Sequence, residues 1–206
     1  MKRDQSDTNN NDWIKRYKVA INITVILLVA VGLLIFALYT PGREGHSRID
    51  EPELFFTAND WIEYINDELG LSASFPHEPE VDRYEGELSS EAVEILVSTP
   101  AEELMLQYND YGGQLDASNP IAILTGAMQG GLAGIEGIRL DELDEFEYGD
   151  YPAIRFSASS RIEAIIMEGV FILADQEMYT MLYISDDPVA DVAEKFFSSL
   201  DIGEGR

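Results

Sequence analysis

The segment VAINITVILLVAVGLLIFALYT, residues 19–40, lies between Lys18 and Pro41 and carries no charged side chain. As a helix, the 21 residues from Val19 to Tyr39 reach about 31 Å, at about 1.5 Å per residue. That length matches a bilayer hydrocarbon core of about 30 Å, so the segment is expected to span a membrane. A cleaved signal peptide would have an apolar region of only about 7–15 residues followed by a small-x-small site. The sequence FALYTPG offers no such site, which favours an uncleaved anchor. Lys15, Arg16 and Lys18 abut its N-terminal end, with Lys2 and Arg3 upstream. The positive-inside rule then places the N-terminus in the cytoplasm and everything after the anchor outside the cytoplasmic membrane. Tyr17 and Tyr39 suit the two interfacial belts.

The anchor divides the chain into four parts: a polar tail at 1–16, the transmembrane helix at 17–40, a juxtamembrane linker at 41–58, and a folded domain at 59–203. Charge follows the same division. Residues 1–50 hold seven Lys and Arg against five Asp and Glu, a balance of +2. The rest of the chain holds six against thirty-four, a balance of −28, and Lys195 is its one lysine. A surface this negative repels phosphate backbones and anionic headgroups, which excludes nucleic acid as a partner. The sequence has no cysteine, so it has no disulfide framework, no thiolate chemistry and no lipid-modified N-terminal cysteine.

The outer part reads as strands and helices in a definite order. WIEYI and LSASF are short strands joined by NDELG, and Leu71, Ala73 and Phe75 alternate with serines at the period of a half-buried strand. Val93, Ile95 and Val97 alternate likewise, Thr99-Pro100 turns the chain, and Leu104, Leu106 and Tyr108 bring it back. A helix should follow, with Asn119 as cap, Pro120 first, and Ile121, Leu124 and Met128 at helical spacing. Gly126, Gly130 and Gly131 weaken it by about 1 kcal/mol each, so it needs a sheet beneath it. Ile138, Leu140, Phe146 and Tyr148 share one parity that Leu143 breaks, which marks a candidate bulge. EYGDYP turns, Ala153–Ser159 returns, and IEAIIMEGVFILA and MYTMLYIS form a hairpin across DQE. In the last helix Asp187 should cap, Pro188 should start, and Val189, Val192, Ala193, Phe196 and Leu200 make one apolar stripe. Hairpin-length connections imply a mostly antiparallel sheet with helices packed on it, an α+β domain.

Several of these segments carry a resemblance. The opening GLSASFPHEPEV, the strand LMLQYND, the hairpin YGDYPAIRFSAS, the strand EMYTMLYIS and the ending AEKFFSSLDI together resemble the PsbP-like family. The resemblance covers about residues 60–203. Its fold is shared by the photosystem II extrinsic protein PsbP, a nuclear Ran-binding protein and bacterial envelope proteins without an assigned role. It implies an α-β-α fold and a docking or accessory module that assembles with partners. The family has no common catalytic constellation, so it assigns no site residue here, and fold does not transmit function.

Few residues of the domain could carry chemistry. His77 is the domain's only histidine, since His46 falls in the linker, and one histidine cannot supply a zinc hydrolase's ligand set. Ser72, Ser74, Ser159 and Ser160 are possible partners for a triad, but no G-x-S-x-G motif is present. Pro76 and Pro79 read as strand terminators that leave His77 on an exposed loop. The acidic run DELDEFEYGD at 141–150 lacks the order of an EF-hand loop, and strand alternation would scatter its carboxylates over two faces. NDYGGQLD at 109–116 reads as a loop into the first helix, and GGLAGIEG at 130–137 as a glycine-bearing helix exit rather than a phosphate loop.

The expected protein is a single-pass membrane protein from a bacterial envelope. Outside the membrane it presents a non-enzymatic accessory or docking domain for another envelope protein. No catalytic, cofactor-binding or metal residue is assigned, and no cofactor is expected. The competing expectation is a cation site, for calcium, or a small-ligand site built from clustered carboxylates. A hydrolase using acidic residues is a weaker third.

Overall fold

The computed structural model describes residues 56, 57, 59, 61–85, 89 and 91–203. The expected tail, transmembrane helix and most of the linker lie outside these residues. Among the described residues no helix is long and apolar enough to cross a membrane.

The described residues form ten strands and two helices in the order β1 (Ile62–Asn66), β2 (Leu71–Phe75), β3 (Glu80–Tyr84), β4 (Glu91–Ser98), β5 (Glu102–Asp110), α1 (Pro120–Leu132), β6 (Ile138–Tyr148), β7 (Tyr151–Ser160), β8 (Ile165–Ala174), β9 (Glu177–Ser185), α2 (Ala190–Phe197) and β10 (Asp201–Ile202). A seven-stranded sheet has the order β3-β4-β5-β9-β8-β7-β6, and a smaller one the order β1-β2-β10. Every described pairing is antiparallel. The α+β expectation therefore holds, with helices on both faces of the large sheet.

Two apolar cores result from strand alternation. On one face of the large sheet, Ile95, Leu106, Ile172 and Met181 pack with Phe75 of β2 and Phe196 of α2. On the other, Ile154, Phe156, Met167 and Leu182 pack with Leu124 and Met128 of α1. Burying each of these large side chains contributes about 1.5–3 kcal/mol. The alternation of β2 appears as predicted, with Leu71, Ala73 and Phe75 inside and the two serines half-buried. Helix α1 is capped as expected, with Asn119 Oδ1 accepting from the Ala122 N–H at 3.2 Å. Gly130 and Gly131 lie on its buried side, and the helix rests on β7 and β8.

Three details differ from expectation. The packed domain begins earlier than residue 59: Phe56 is buried in the α2-side core, where its large ring gains more than a solvated linker position would give. In β6 the register slips between Leu140 and Glu142, leaving Asp141 as the extra residue. This bulge switches parity, so Ile138, Leu140 and Leu143 share the α1 face while Phe146 and Tyr148 turn to the α2 face. The single stripe expected from Ile138 to Tyr148 is two stripes. Finally, α2 starts at Ala190 with Val189 as its N-cap, and no side chain caps it. Asp187 instead sits in a turn with its N–H on Ser185 Oγ at 3.1 Å, and the Val189 N–H donates to Tyr183 Oη at 3.0 Å. A buried phenol thus satisfies a donor expected to be served by an aspartate. Val189 itself is exposed, so the apolar stripe begins at Val192.

Gly169 of β8 explains a close approach inside the α1-side core. It lies opposite Phe156 on β7 and Leu182 on β9. A Cβ there would fall 2.3 Å from Phe156 Cε1 and 2.6 Å from Leu182 Cδ2. Both neighbours are themselves buried and have little room to yield. Gly169→Ala is expected to destabilise the domain by about 1–3 kcal/mol, because overpacking outweighs the better strand propensity of alanine. Urea unfolding checks this, and a variant as stable as the parent would contradict the packing.

Candidate functional site

His77 lies just past β2, exposed, while Pro76 beside it is buried. Its ring meets Phe56 edge-on, with centroids 6.1 Å apart. The hydroxyls of Ser159 and Ser160 are occupied elsewhere, and Ser74 is held through its backbone. Ser74 N–H donates to Ser199 Oγ at 3.0 Å, Ser159 Oγ to Asp141 Oδ2 at 2.6 Å, and Ser160 Oγ to the Glu136 carbonyl at 2.6 Å. Among the described residues no hydrogen bond joins His77 to Ser72 or to any of these three. The residues 130–137 finish α1 and lead through Gly137, at φ 69°, into β6. The loop after β5 is tied down by Gln176, whose side-chain amide both accepts from Leu115 N–H and donates to Leu115 O.

Two acidic regions stand out instead, one inside and one at the sheet's edge. Adjacent residues Glu102 and Glu103 open β5 and point to opposite faces, yet both are buried, at 0 % and 7 % exposure. Glu102, on the α2 face, accepts from the Phe56 N–H at 2.6 Å and from the Tyr183 hydroxyl. Glu103, on the α1 face, accepts no hydrogen bond from any described residue. Burial, reinforced by the charge of Glu94, pushes its carboxyl up to about 7. Glu94 is itself raised, first by burial and then by Asp82. Asp82, Glu94, Gln107 and Thr180 form one cross-strand row over β3, β4, β5 and β9. In that row Gln107 donates to Tyr84 Oη at 2.8 Å, and the buried Thr180 Oγ1 has no partner among the described residues. Among the described residues no three His, Cys, Asp or Glu side chains lie close enough to hold a metal ion.

The outer region is β6, the terminal strand of the large sheet and 11 residues long. Five of those residues are acidic. Asp141 is engaged, pairing with Arg139 at 2.5 Å, and the Ser159 hydroxyl and then Arg139 hold its carboxyl below the usual range. No ion pair reaches Glu142, Asp144, Glu145 or Glu147 from any described residue. Arg155 stands opposite Asp144 in register but binds Glu168 at 3.1 Å and Glu194 at 2.7 Å. Between these acids, Leu140, Leu143 and Phe146 are 41 %, 37 % and 37 % exposed. The strand is held in place at its far end, where the Tyr148 hydroxyl lies 2.9 Å from Phe197 O and 2.8 Å from Leu200 O.

Reading the sequence placed the acidic run on a strand but did not single out Glu103 or Glu102. The available signal was two adjacent acids heading a strand that continues as alternating core residues, a position flanked by other strands on both sides.

No known family model matches the chain, and no curated protein matches it in sequence. Solved structures do resemble it. The cyanobacterial PsbP, CyanoP, of Synechocystis sp. PCC 6803 superposes with a TM-score of 0.50 at 11% identity, over 78% of this chain and 99% of that one. A Pseudomonas aeruginosa protein of unknown function is similar at a TM-score of 0.35 and 14% identity, over 65% of this chain and 87% of that one. The first of these likenesses supports a PsbP-like fold for the domain.

Proposed function

We propose that this chain is a membrane-anchored accessory protein whose PsbP-like domain docks onto another envelope protein and performs no chemistry of its own. Residues 17–40 serve as the anchor, with the N-terminus in the cytoplasm and the domain outside the cytoplasmic membrane. The observation that carries the reading is the outer edge of the large sheet. There Leu140 and Leu143 on one face and Phe146 on the other stay exposed among carboxylates, four of which no described residue pairs. Large apolar side chains left exposed on both sides of a charged edge mark a place where another molecule removes them from water.

Crosslinking and pull-down of the full-length protein from native membranes, with residues 1–58 alone as control, tests this. One dominant partner that requires residues 59–203 is expected. Capture no greater than the control would overturn the docking role. Protease added to spheroplasts checks the topology, and full protection of the domain would reverse it.

A further inference from the structure

The shape and charge of β6 narrow the partner's chemistry. We infer that its free edge accepts an extended, basic segment of the partner protein by strand addition, which deepens the docking reading and rests on it. Beyond the bulge at Asp141, Glu142–Tyr148 pairs regularly with β7 on one side. On the other side no described strand pairs with it. Alternate backbone N–H and C=O groups there face outward, a template for one more antiparallel or parallel strand of about six or seven residues.

The side chains flanking that template select the occupant. On the α1 face they are Leu143, Glu145 and Glu147; on the α2 face they are Glu142, Asp144 and Phe146. Each face thus offers one exposed apolar side chain and two carboxylates. A second copy of β6 would set carboxylate against carboxylate on both faces, which cross-strand pairing penalises. Anionic lipid is repelled for the same reason. A segment with Lys or Arg opposite the four carboxylates and β-branched residues opposite Leu143 and Phe146, basic side chains thus on both of its faces, satisfies both faces and the backbone together.

The other edge of the large sheet differs. β3 is 5 residues long, and its Arg83 is already engaged by Glu68 at 2.7 Å and Glu91 at 3.3 Å. Carboxylates on an edge also guard against aggregation, and if that is all these do, no strand will add.

The test uses the full-length chain in detergent and a fluorescent peptide, Lys-Val-Lys-Lys-Val-Lys, whose order complements residues 142–147 in either strand direction, in fluorescence polarisation. Saturable binding is expected, with slowed amide exchange across Glu142–Tyr148. The same peptide N-methylated at alternate backbone positions keeps its charge but cannot pair, and should bind at least about tenfold more weakly. The Glu-for-Lys peptide should not bind. Equal affinity for the methylated and parent peptides, or no binding of either, would overturn strand addition. Asp144→Lys combined with Glu145→Lys, both exposed substitutions, should abolish peptide binding and capture of the native partner alike. A partner that the double variant still captures leaves the docking role standing and removes β6 from it; a wild-type chain that captures nothing defeats the docking role itself.

Discussion

Replacing Glu103 with glutamine is expected to leave stability unchanged near pH 4 and to raise it by about 3 kcal/mol at pH 8. The residue is 7 % exposed, and burial raises its pKa from 4.5 to about 7. A carboxyl whose folded pKa lies above its unfolded one binds its proton more tightly when folded. Below pH 4.5 both states are protonated, so the group has no unfavourable effect. As pH climbs from 4.5 to 7 the unfolded chain gives up the proton first, and stability falls. Above 7 the loss is complete, because the folded state must then hold a buried charge. Glutamine fills the same space and never ionises, so it escapes that loss. Of the charged groups, Glu94 on β4 is the one whose field reaches Glu103, backed by Asp82 on β3. The residues directly opposite on the neighbouring strands, Ser98 and Ile184, carry no charge. Glu94 stays in the variant and is shifted in the same direction, so a shallower residual slope should remain. Urea unfolding by near-UV circular dichroism at constant ionic strength, from pH 4 to 8, measures the difference. A wild type and variant that run parallel over this range would show that Glu103 is not held as the structure places it.

That carboxyl also marks the limit of what could be read beforehand. Alternation in Leu71–Phe75, the Asn119-Pro120 start of α1 and the hairpin through Asp175 were legible because each depends on neighbours close in sequence. Local chemistry was enough for them. The face switch in β6 was half legible: Leu143 broke the pattern, but pairing with β7 was needed to show that Asp141 is the extra residue. Nothing local reveals that Glu102 and Glu103 are both inside. Their burial follows from β5 lying between β4 and β9, with a filled layer on each face, and strand order is a long-range property. The start of α2 differs for another reason. Asp187 has the right chemistry for a cap, but the hydroxyl of Tyr183, six residues earlier on β9, takes the Val189 N–H instead. At the candidate docking edge the acids were visible in sequence as a solvated run, whereas the unpaired side of β6 was not.

Truncation of Glu102 to alanine should cost about 3–5 kcal/mol, since two hydrogen bonds to a charged acceptor are worth about 1.5–3 kcal/mol each. This carboxylate is fully buried, and it ties together three parts of the chain. One oxygen accepts from the backbone of Phe56, where the chain comes into the core. The other accepts from Tyr183 on β9. Burial first, and the bond to Glu102 next, push that phenol up to about 12, so it stays a donor at every physiological pH. Its oxygen in turn accepts from the Val189 N–H at the start of α2. Removing the carboxylate strands the Phe56 N–H and the Tyr183 hydroxyl in a dry interior, and an unsatisfied buried donor costs more than the bond contributed. Glu102→Gln separates charge from shape: its amide oxygen can accept from one donor, but its NH₂ then faces the other, so about half the loss should remain. Tyr183→Phe should also cost about 1.5–3 kcal/mol. Because the two groups share a bond, Glu102→Ala and Tyr183→Phe should together cost less than their sum. Amide exchange at Phe56 and at Val189 should accelerate in the alanine variant, the first because the incoming chain has lost its tether. An alanine variant within about 1 kcal/mol of the parent, well below the usual cost of an unsatisfied buried donor, would mean the three parts are held by packing alone.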